Sequence, residues 1–386
     1  MTSAPKKNIA FVTWLGDGNY GTSLQAYALF ATFKKLGYPA TYVWPFDLSW
    51  LPRMRRLPRR MIKAILGKCG IHPHSRTSLP PPSPPLKAEK LNRFLTEEIP
   101  QLHIRSRRGL DKILASTNVF CVGSDQLWNT YYSKDTFMLL PWAADKKRIS
   151  YATSIGTTDF APDMRATYRE ALQKFDHLSV REETGRLAIE RLTGRTDIET
   201  VLDPTLLLSP EDWRAMARHA EFEPPLPSIP AEPFALCYLI GDAPSYAAQL
   251  ADVLRKSGLS LAIQLPSREA PASSLPGCLV YEAAAVREFV ALLDAAALVI
   301  TDSFHATALS ILLEKPFVEF LRFQNDAPGG QNSRIHDLLK LLALQNRLYS
   351  ATSDAWCVPP DYAPVVRRLS ALREHSLNYL VHAIES

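Results

Sequence analysis

The sequence predicts an α/β protein built from two doubly wound parallel sheets that face each other across a cleft. Three observations carry this. "KKNIAFVTW", a glycine turn, "TSLQAYALFATFKKLG" and "YPATYVW" read as strand, turn, helix and strand, the opening of such a sheet. The alternation restarts at "FALCYLIG" after the proline-rich crossing "EFEPPLPSIPAEP". Strands such as "VFCV" and "ALVIT" are apolar throughout, and a chain of 386 residues can bury two cores.

In order, the first half continues past the basic segment Trp50–Gly70 and the run "SLPPPSPPL". Five prolines between Leu79 and Leu86 exclude helix or central strand, so an exposed loop is expected. "KAEKLNRFLTEEI" then reads as helix, "GLDKILASTNVFCVGSDQLWN" as helix to strand, "RISYATSIG" as strand and "APDMRATYREALQKF" as helix. "HLSVREETGRLAIERL" reads as strand to helix, and "TDIETVLDPTLLL" closes a first domain over 1–208. The second, 209–361, opens on a capped short helix and places helices at "SYAAQLADVLRKSG", "AAAVREFVALLDAA", "HATALSILLEKP" and "SRIHDLLKLLAL". Strands "LSLAIQLP", "ALVITDSF" and "FVEFLRF" lie between them, and a last helix from about Tyr362 is expected to pack back on the first domain.

Composition narrows the classes. The chain is 46% hydrophobic and 22% charged, with a net charge of +5 that is too small to imply nucleic acid. No apolar run reaches the roughly 20 residues that span a bilayer, and the polar start carries no secretory pattern, so a cytoplasmic protein is expected. Five scattered cysteines without a C-x-x-C pair fit reduced thiols and argue against structural zinc. Trp50–Gly70 holds five arginines and two lysines alternating with Leu, Met and Ile, which suits either an anionic membrane face or a solvated surface helix.

Five stretches could carry chemistry. Gly16, Gly18 and Gly21 spell G-x-G-x-x-G, with Asp47 where a ribose-binding acid would be wanted; the plainer reading is a turn whose Asn19 caps the helix. The polar residues Thr22, Ser23 and Gln25 at the helix start suggest side chains aimed into the cleft, beside Gly18, Asn19 and Tyr20. After the strand "VFCV", Asp125 and Gln126 stand where a carboxylate can accept a hydroxyl proton or bind a sugar, or simply form an Asx turn. Arg181 in "LSVREETG" could clamp a carboxylate or phosphate, or pair with Glu182 or Glu183 at the surface. "VITDSFHATAL" places Ser303, His305 and Thr307 at a helix N-terminus that favours an anion. "GGQNSRIHDLL" repeats the device: Asn332 and Ser333 are cap candidates, and Arg334 sits in a first turn, where a cation is unfavourable unless an anion joins it.

Together, "GNYGTSLQAYAL", "VGSDQLWN", "SYATSIG", "LSVREETG", "VLDPTLLL", "VITDSFHATALSILLEKPF" and "NSRIHDLL" resemble, in order, the polysaccharide pyruvyl transferase family. The resemblance implies two Rossmann-like domains of the GT-B glycosyltransferase type. It implies transfer of pyruvate from phosphoenolpyruvate (PEP) as a cyclic ketal onto a sugar of a cell-envelope polysaccharide or its lipid-linked precursor, with release of phosphate. No metal or further cofactor is implied. Residue by residue, it implies PEP binding by His305 and by Arg181, and an aspartate, Asp125, near the acceptor. Some relatives carry arginine where this chain has Ser303; Arg334, with Ser333, is assigned that charge. His305 is the candidate acid, Asp125 the candidate base, and Gly18, Asn19, Tyr20 and Gln126 complete the acceptor side. A nucleotide-sugar glycosyltransferase, a dehydrogenase and a non-catalytic carbohydrate or membrane-surface adaptor are the rival readings.

Overall fold

A computed structural model describes residues 6–15, 18–44, 84–143, 145–241, 243–267, 275, 277–323 and 330–386. Gly16, Asp47 and the basic segment 50–70, with its expected membrane contact, lie outside the described residues. The first sheet contains β1 (Ile9–Val12), β2 (Ala40–Trp44), β3 (Gln101–His103), β4 (Val119–Val122) and β5 (Lys147–Ser150), all parallel, in the order β3-β2-β1-β4-β5. Single bridges at Ile149–His177 and Thr153–Val180 carry it on to the pair β6 (Leu178–Val180) and β7 (Ile198–Thr200). The second sheet repeats the plan as β10-β9-β8-β11-β12, from β8 (Phe234–Tyr238), β9 (Leu261–Gln264), β10 (Leu279–Val280), β11 (Leu298–Thr301) and β12 (Phe317–Glu319). Both halves are Rossmann-like. Each reverses its strand order beside its first strand, and ligands of such sheets gather at that point, beyond the carboxyl ends of the strands.

The helices begin and end where local chemistry dictates. In α1 (Tyr20–Lys35) the Asn19 Oδ1 accepts the Gly21 N–H at 2.8 Å, and Gly37, at φ +80°, releases the chain into β2. The proline run contributes more than loop: Pro84 is the N-cap and Pro85 the first residue of α2 (Pro85–Glu98), where a missing N–H costs nothing. Between β3 and β7 run α3 (Arg107–Ser116), α4 (Arg165–Leu172) and α5 (Glu183–Thr193). The reciprocal box of Ser209 and Asp212 starts α6 (Pro210–Ala217), and Arg214 ties it to Asp294 at 3.0 Å. Asp294 belongs to α8 (Val286–Ala295), which follows α7 (Ala247–Ser257); α9 (Phe304–Leu312), α10 (Ser333–Leu341) and α11 (Tyr362–Glu385) complete the chain.

The two halves share one apolar core. It runs from β1 and α1 through Val201–Leu208 to β8, α8, α9 and α11. Tyr20 lies at its centre: the ring stacks on Phe289 at 4.6 Å and its hydroxyl donates to the Ala284 carbonyl at 2.9 Å. Burying such a ring stabilises the fold by roughly 1.5–3 kcal/mol. Tyr20 therefore joins the halves and is not an acceptor contact as expected; an aromatic beside a glycine turn looks the same in sequence whichever way it faces. Helix α11 braces the same joint. Its Tyr362 hydroxyl donates to the Lys315 carbonyl of the second half, while Tyr379 donates to Ser150 O and Arg373 to Leu206 O in the first.

Lys87 crosses the joint too, its Nζ 4.3 Å from the Tyr20 ring centroid and donating to the Pro266 carbonyl at 3.2 Å. Burial, offset only in part by Glu282, pushes its pKa down to about 8. A cation whose folded pKa lies beneath its ordinary 10.5 costs stability while protonated, and relief comes as pH rises from about 8 towards 10.5. The Tm difference between Lys87→Met and the parent protein is expected to fall across that window in thermal melts; a constant difference would contradict the assignment.

Candidate active site

Residues at the carboxyl ends of both sheets meet around Arg181, which follows β6. Its side chain is fully buried over the Phe304 ring, with the guanidinium carbon 4.1 Å from the ring centroid. The Nε donates to Glu182 at 2.8 Å and Nη1 to Asp203 Oδ2 at 2.9 Å, while Asp125 Oδ1 lies 3.7 Å from Nη2. Burial opposes the charge, but Glu182, Asp203 and Asp125 outweigh it and hold the guanidinium more firmly protonated than in water. The arginine is thus no surface ion pair. Nη2 has no hydrogen-bond partner among the described residues, and a buried donor without a partner costs about 1–3 kcal/mol.

His305 enters from the other half, in the first turn of α9. Its Nε2 lies 3.6 Å from Asp203 Oδ2, too far for a hydrogen bond, and has no other partner among the described residues. Asp203 is held by Ser124 Oγ (2.7 Å) as well as by Arg181, and its second oxygen caps Thr205. Burial would raise its pKa; His305, Arg181 and Ser124 together hold it well below the usual carboxylate range. Across the joint, the imidazole rests against Gly21: a Cβ built there would stand 2.2 Å from His305 Nδ1. The third glycine of the fingerprint is needed for that approach.

The described residues that follow Gly18 also serve the protein itself. Asn19 caps α1. Thr22, Ser23 and Gln25 are buried: Gln25 Nε2 donates to Thr13 Oγ1, Trp14 O and Thr22 O, and Thr22 Oγ1 to Asn19 O, while Ser23 Oγ and Gln25 Oε1 have no hydrogen-bond partner among the described residues. With the Gly21 amide taken by Asn19, one amide that a pyrophosphate would need at the start of α1 is filled.

Arg334, in the first turn of α10, is 5% exposed and has no carboxylate partner among the described residues. It donates to the carbonyl and side-chain oxygens of Gln331, both at 3.2 Å, and its guanidinium carbon is 6.0 Å from the Phe304 centroid. Burial, reinforced by Arg181 and Arg322, pushes its pKa down to about 9. Gln331 Oε1 also accepts Gln126 Nε2 at 2.8 Å, which links the two halves beside the site. Ser333 Oγ is buried without a partner among the described residues, and Asn332 does not cap α10: its amide bonds the backbone of Phe323.

Asp125 sits at φ +76° with Oδ1 accepting the N–H of the next residue, Gln126, at 2.9 Å, and the same oxygen faces Arg181. Ser303 Oγ caps α9 on the Ala306 N–H at 3.5 Å. Sequence reasoning foresaw one carboxylate here, and the structure brings four more. Glu182 shares Oε1 between Ser154 (2.5 Å) and Arg181, and burial raises its pKa. Asp203 stood in "VLDPTLLL", where an Asp–Pro after a strand was the available signal. Asp302 accepts the Ile240 and Gly241 amides at 2.6 and 2.8 Å and the Tyr246 hydroxyl at 2.9 Å. Glu319, bonded by Thr307, is driven well above the ordinary carboxyl range by burial.

Solved structures similar to this chain include a UDP-GlcNAc 2-epimerase from Neisseria meningitidis bound to UDP-GlcNAc, at 12% identity and TM-score 0.47, covering 98% of this chain and 94% of that one. MurG from Acinetobacter baumannii is similar at 11% identity and TM-score 0.43, covering 99% of each chain. A glycosyltransferase from Streptomyces sp. SF2575 is similar at 14% and TM-score 0.42, covering 98% of this chain and all of the other. No curated protein matches the sequence. The sequence model of one family, polysaccharide pyruvyl transferase, matches residues 19–322, a span that holds Asp125, Arg181, Asp203 and His305 and ends before Arg334. The chain belongs to the polysaccharide pyruvyl transferase family.

Proposed function

We propose that the protein transfers pyruvate from PEP onto two hydroxyls of one sugar residue, forming a cyclic ketal and releasing phosphate. The observation that carries this reading is the convergence of Arg181, Arg334 and His305, with Arg181 Nη2, His305 Nε2 and Ser333 Oγ lacking hydrogen-bond partners among the described residues. A small, multiply charged donor would supply the missing acceptors. Arg334, Ser333 and Arg181 Nη2 would hold the carboxylate and phosphate, with the Ser303 hydroxyl at the α9 N-terminus. His305, with Asp203 balancing its charge, would deliver a proton. Asp125 would receive one at the acceptor, which Gly18 and Gln126 border.

The chemistry balances without an outside reagent. A proton added to the PEP methylene makes the adjacent carbon an oxocarbenium-like electrophile. One sugar hydroxyl attacks it, the carbon–oxygen bond to phosphate breaks, and the neighbouring hydroxyl closes the ring. Of the two hydroxyl protons released, one ends on the methyl group and the other on phosphate. Held geometry can supply roughly 7–11 kcal/mol of such a barrier.

Asp302 weighs against a nucleotide-sugar donor. At the reversal point of the second sheet, its carboxylate fills the amides of Ile240 and Gly241 that a diphosphate would need. A lipid-linked acceptor and peripheral membrane contact through residues 50–70 belong to this proposal on composition, and no helix among the described residues is long and apolar enough to cross a membrane. Incubation with PEP and candidate saccharides tests the reading by mass spectrometry: a ketal adds one pyruvate less one water, with one phosphate released per addition. A hexose increment from a nucleotide sugar, with none from PEP, sinks it.

A further inference from the structure

Tyr131 and Tyr132 are 50% and 62% exposed and follow the β4 loop that carries Asp125 and Gln126. Trp14, from the end of β1, lies 5.4 Å from Tyr132 between ring centroids. Two adjacent exposed tyrosines are costly to solubility, and these lie on the turn that follows Asp125 and Gln126.

The turn that displays them is wired to that site. Asn129 Oδ1 accepts the amides of both Tyr131 and Tyr132 at 3.1 Å, and Asn129 Nδ2 donates to Gln126 Oε1 at 2.9 Å. Gln126 Nε2 donates to Gln331 Oε1, which also receives Arg334. Gly156, at φ +70°, leaves room for this: a Cβ there would be 2.2 Å from Gln126 Oε1. A continuous hydrogen-bonded path therefore fixes the aromatic turn relative to the buried arginine.

We propose that Trp14, Tyr131 and Tyr132 form a stacking platform for sugar residues flanking the one that reacts, so that the acceptor is an oligosaccharide or longer. This rests on the saccharide acceptor of the proposed function. A pyranose face presents polarised C–H bonds to the negative face of an aromatic ring, while its hydroxyls stay in water. An exposed, amphipathic ring suits that ligand, and the fixed turn would set the register of the chain over the site.

The test uses the whole protein on immobilised neutral oligosaccharides graded in length from the monosaccharide upward, with PEP binding followed in parallel by calorimetry. Binding is expected to strengthen with length in the parent and in Tyr131→Phe/Tyr132→Phe. Tyr131→Ala/Tyr132→Ala should lose roughly threefold to tenfold per ring, with PEP affinity unchanged in all three. Glycan binding that is absent in the parent, or equal in the alanine pair, overturns the platform. So does a change confined to self-association, which would make the patch a contact between copies. Length-dependent glycan binding by a parent protein that ignores PEP leaves the platform standing and removes the functional reading instead.

Discussion

Arg334→Met is expected to abolish PEP-dependent phosphate release while raising the Tm of the ligand-free protein. The guanidinium is buried, lacks a carboxylate partner among the described residues, and is repelled by Arg181 and Arg322. Its pKa of about 9, against an ordinary 12.5, means that at every pH below about 9 the fold carries the full cost of that charge. Methionine of similar reach removes the cost, and exchanging buried charge for apolar volume stabilises by about 1–4 kcal/mol in comparable cases. A gain of a few degrees in Tm follows. In the parent, PEP should raise Tm by supplying the missing counter-charge; in the variant that shift should vanish, and turnover should fall by about 100-fold or more. The trade of stability for function is the diagnostic. A lower Tm with the PEP shift retained would mean that Arg334 is a structural residue.

The second large effect is expected from the smallest change. Gly21→Ala should lower kcat by about 100-fold or more, as His305→Ala should, and the double variant should lose little beyond either single one. Gly21 lies in the first turn of α1 and does not need a left-handed backbone, so alanine should favour the helix by about 1 kcal/mol. The added carbon nevertheless cannot coexist with His305 where it stands. If displacement of the imidazole is the whole effect, the two losses are not additive. A general acid is typically worth 10²–10⁴ in rate, which sets the scale. Additive losses would show that Gly21 acts on something other than His305.

Much of the fold was legible because apolar runs such as "VFCV" and "LVIT", short and bounded by turn residues, read as central strands. β3 and β10 were not: Gln101–His103 is partly exposed and Leu279–Val280 is two residues long, so their neighbours, not their own pattern, define them. The site was legible as a set of strand ends but not as a charge balance. Nothing near Arg181 in sequence announces that Asp125 and Asp203, 56 residues before it and 22 after, will surround it. Polar residues at the start of α1 misled for a related reason. Gln25 and Thr22 look like ligand contacts, yet an irregular loop has carbonyls of its own to satisfy, and it claims them first.

Helix α11 begins on one lobe and ends on the other, over a core that both share. A molecule stitched in this way resists swinging open about the segment that first joins its two halves. Adjustment to incoming substrate should be a shallow sliding of packed surfaces, and on the proposed reading a long polymer would run along an edge of the molecule without being engulfed.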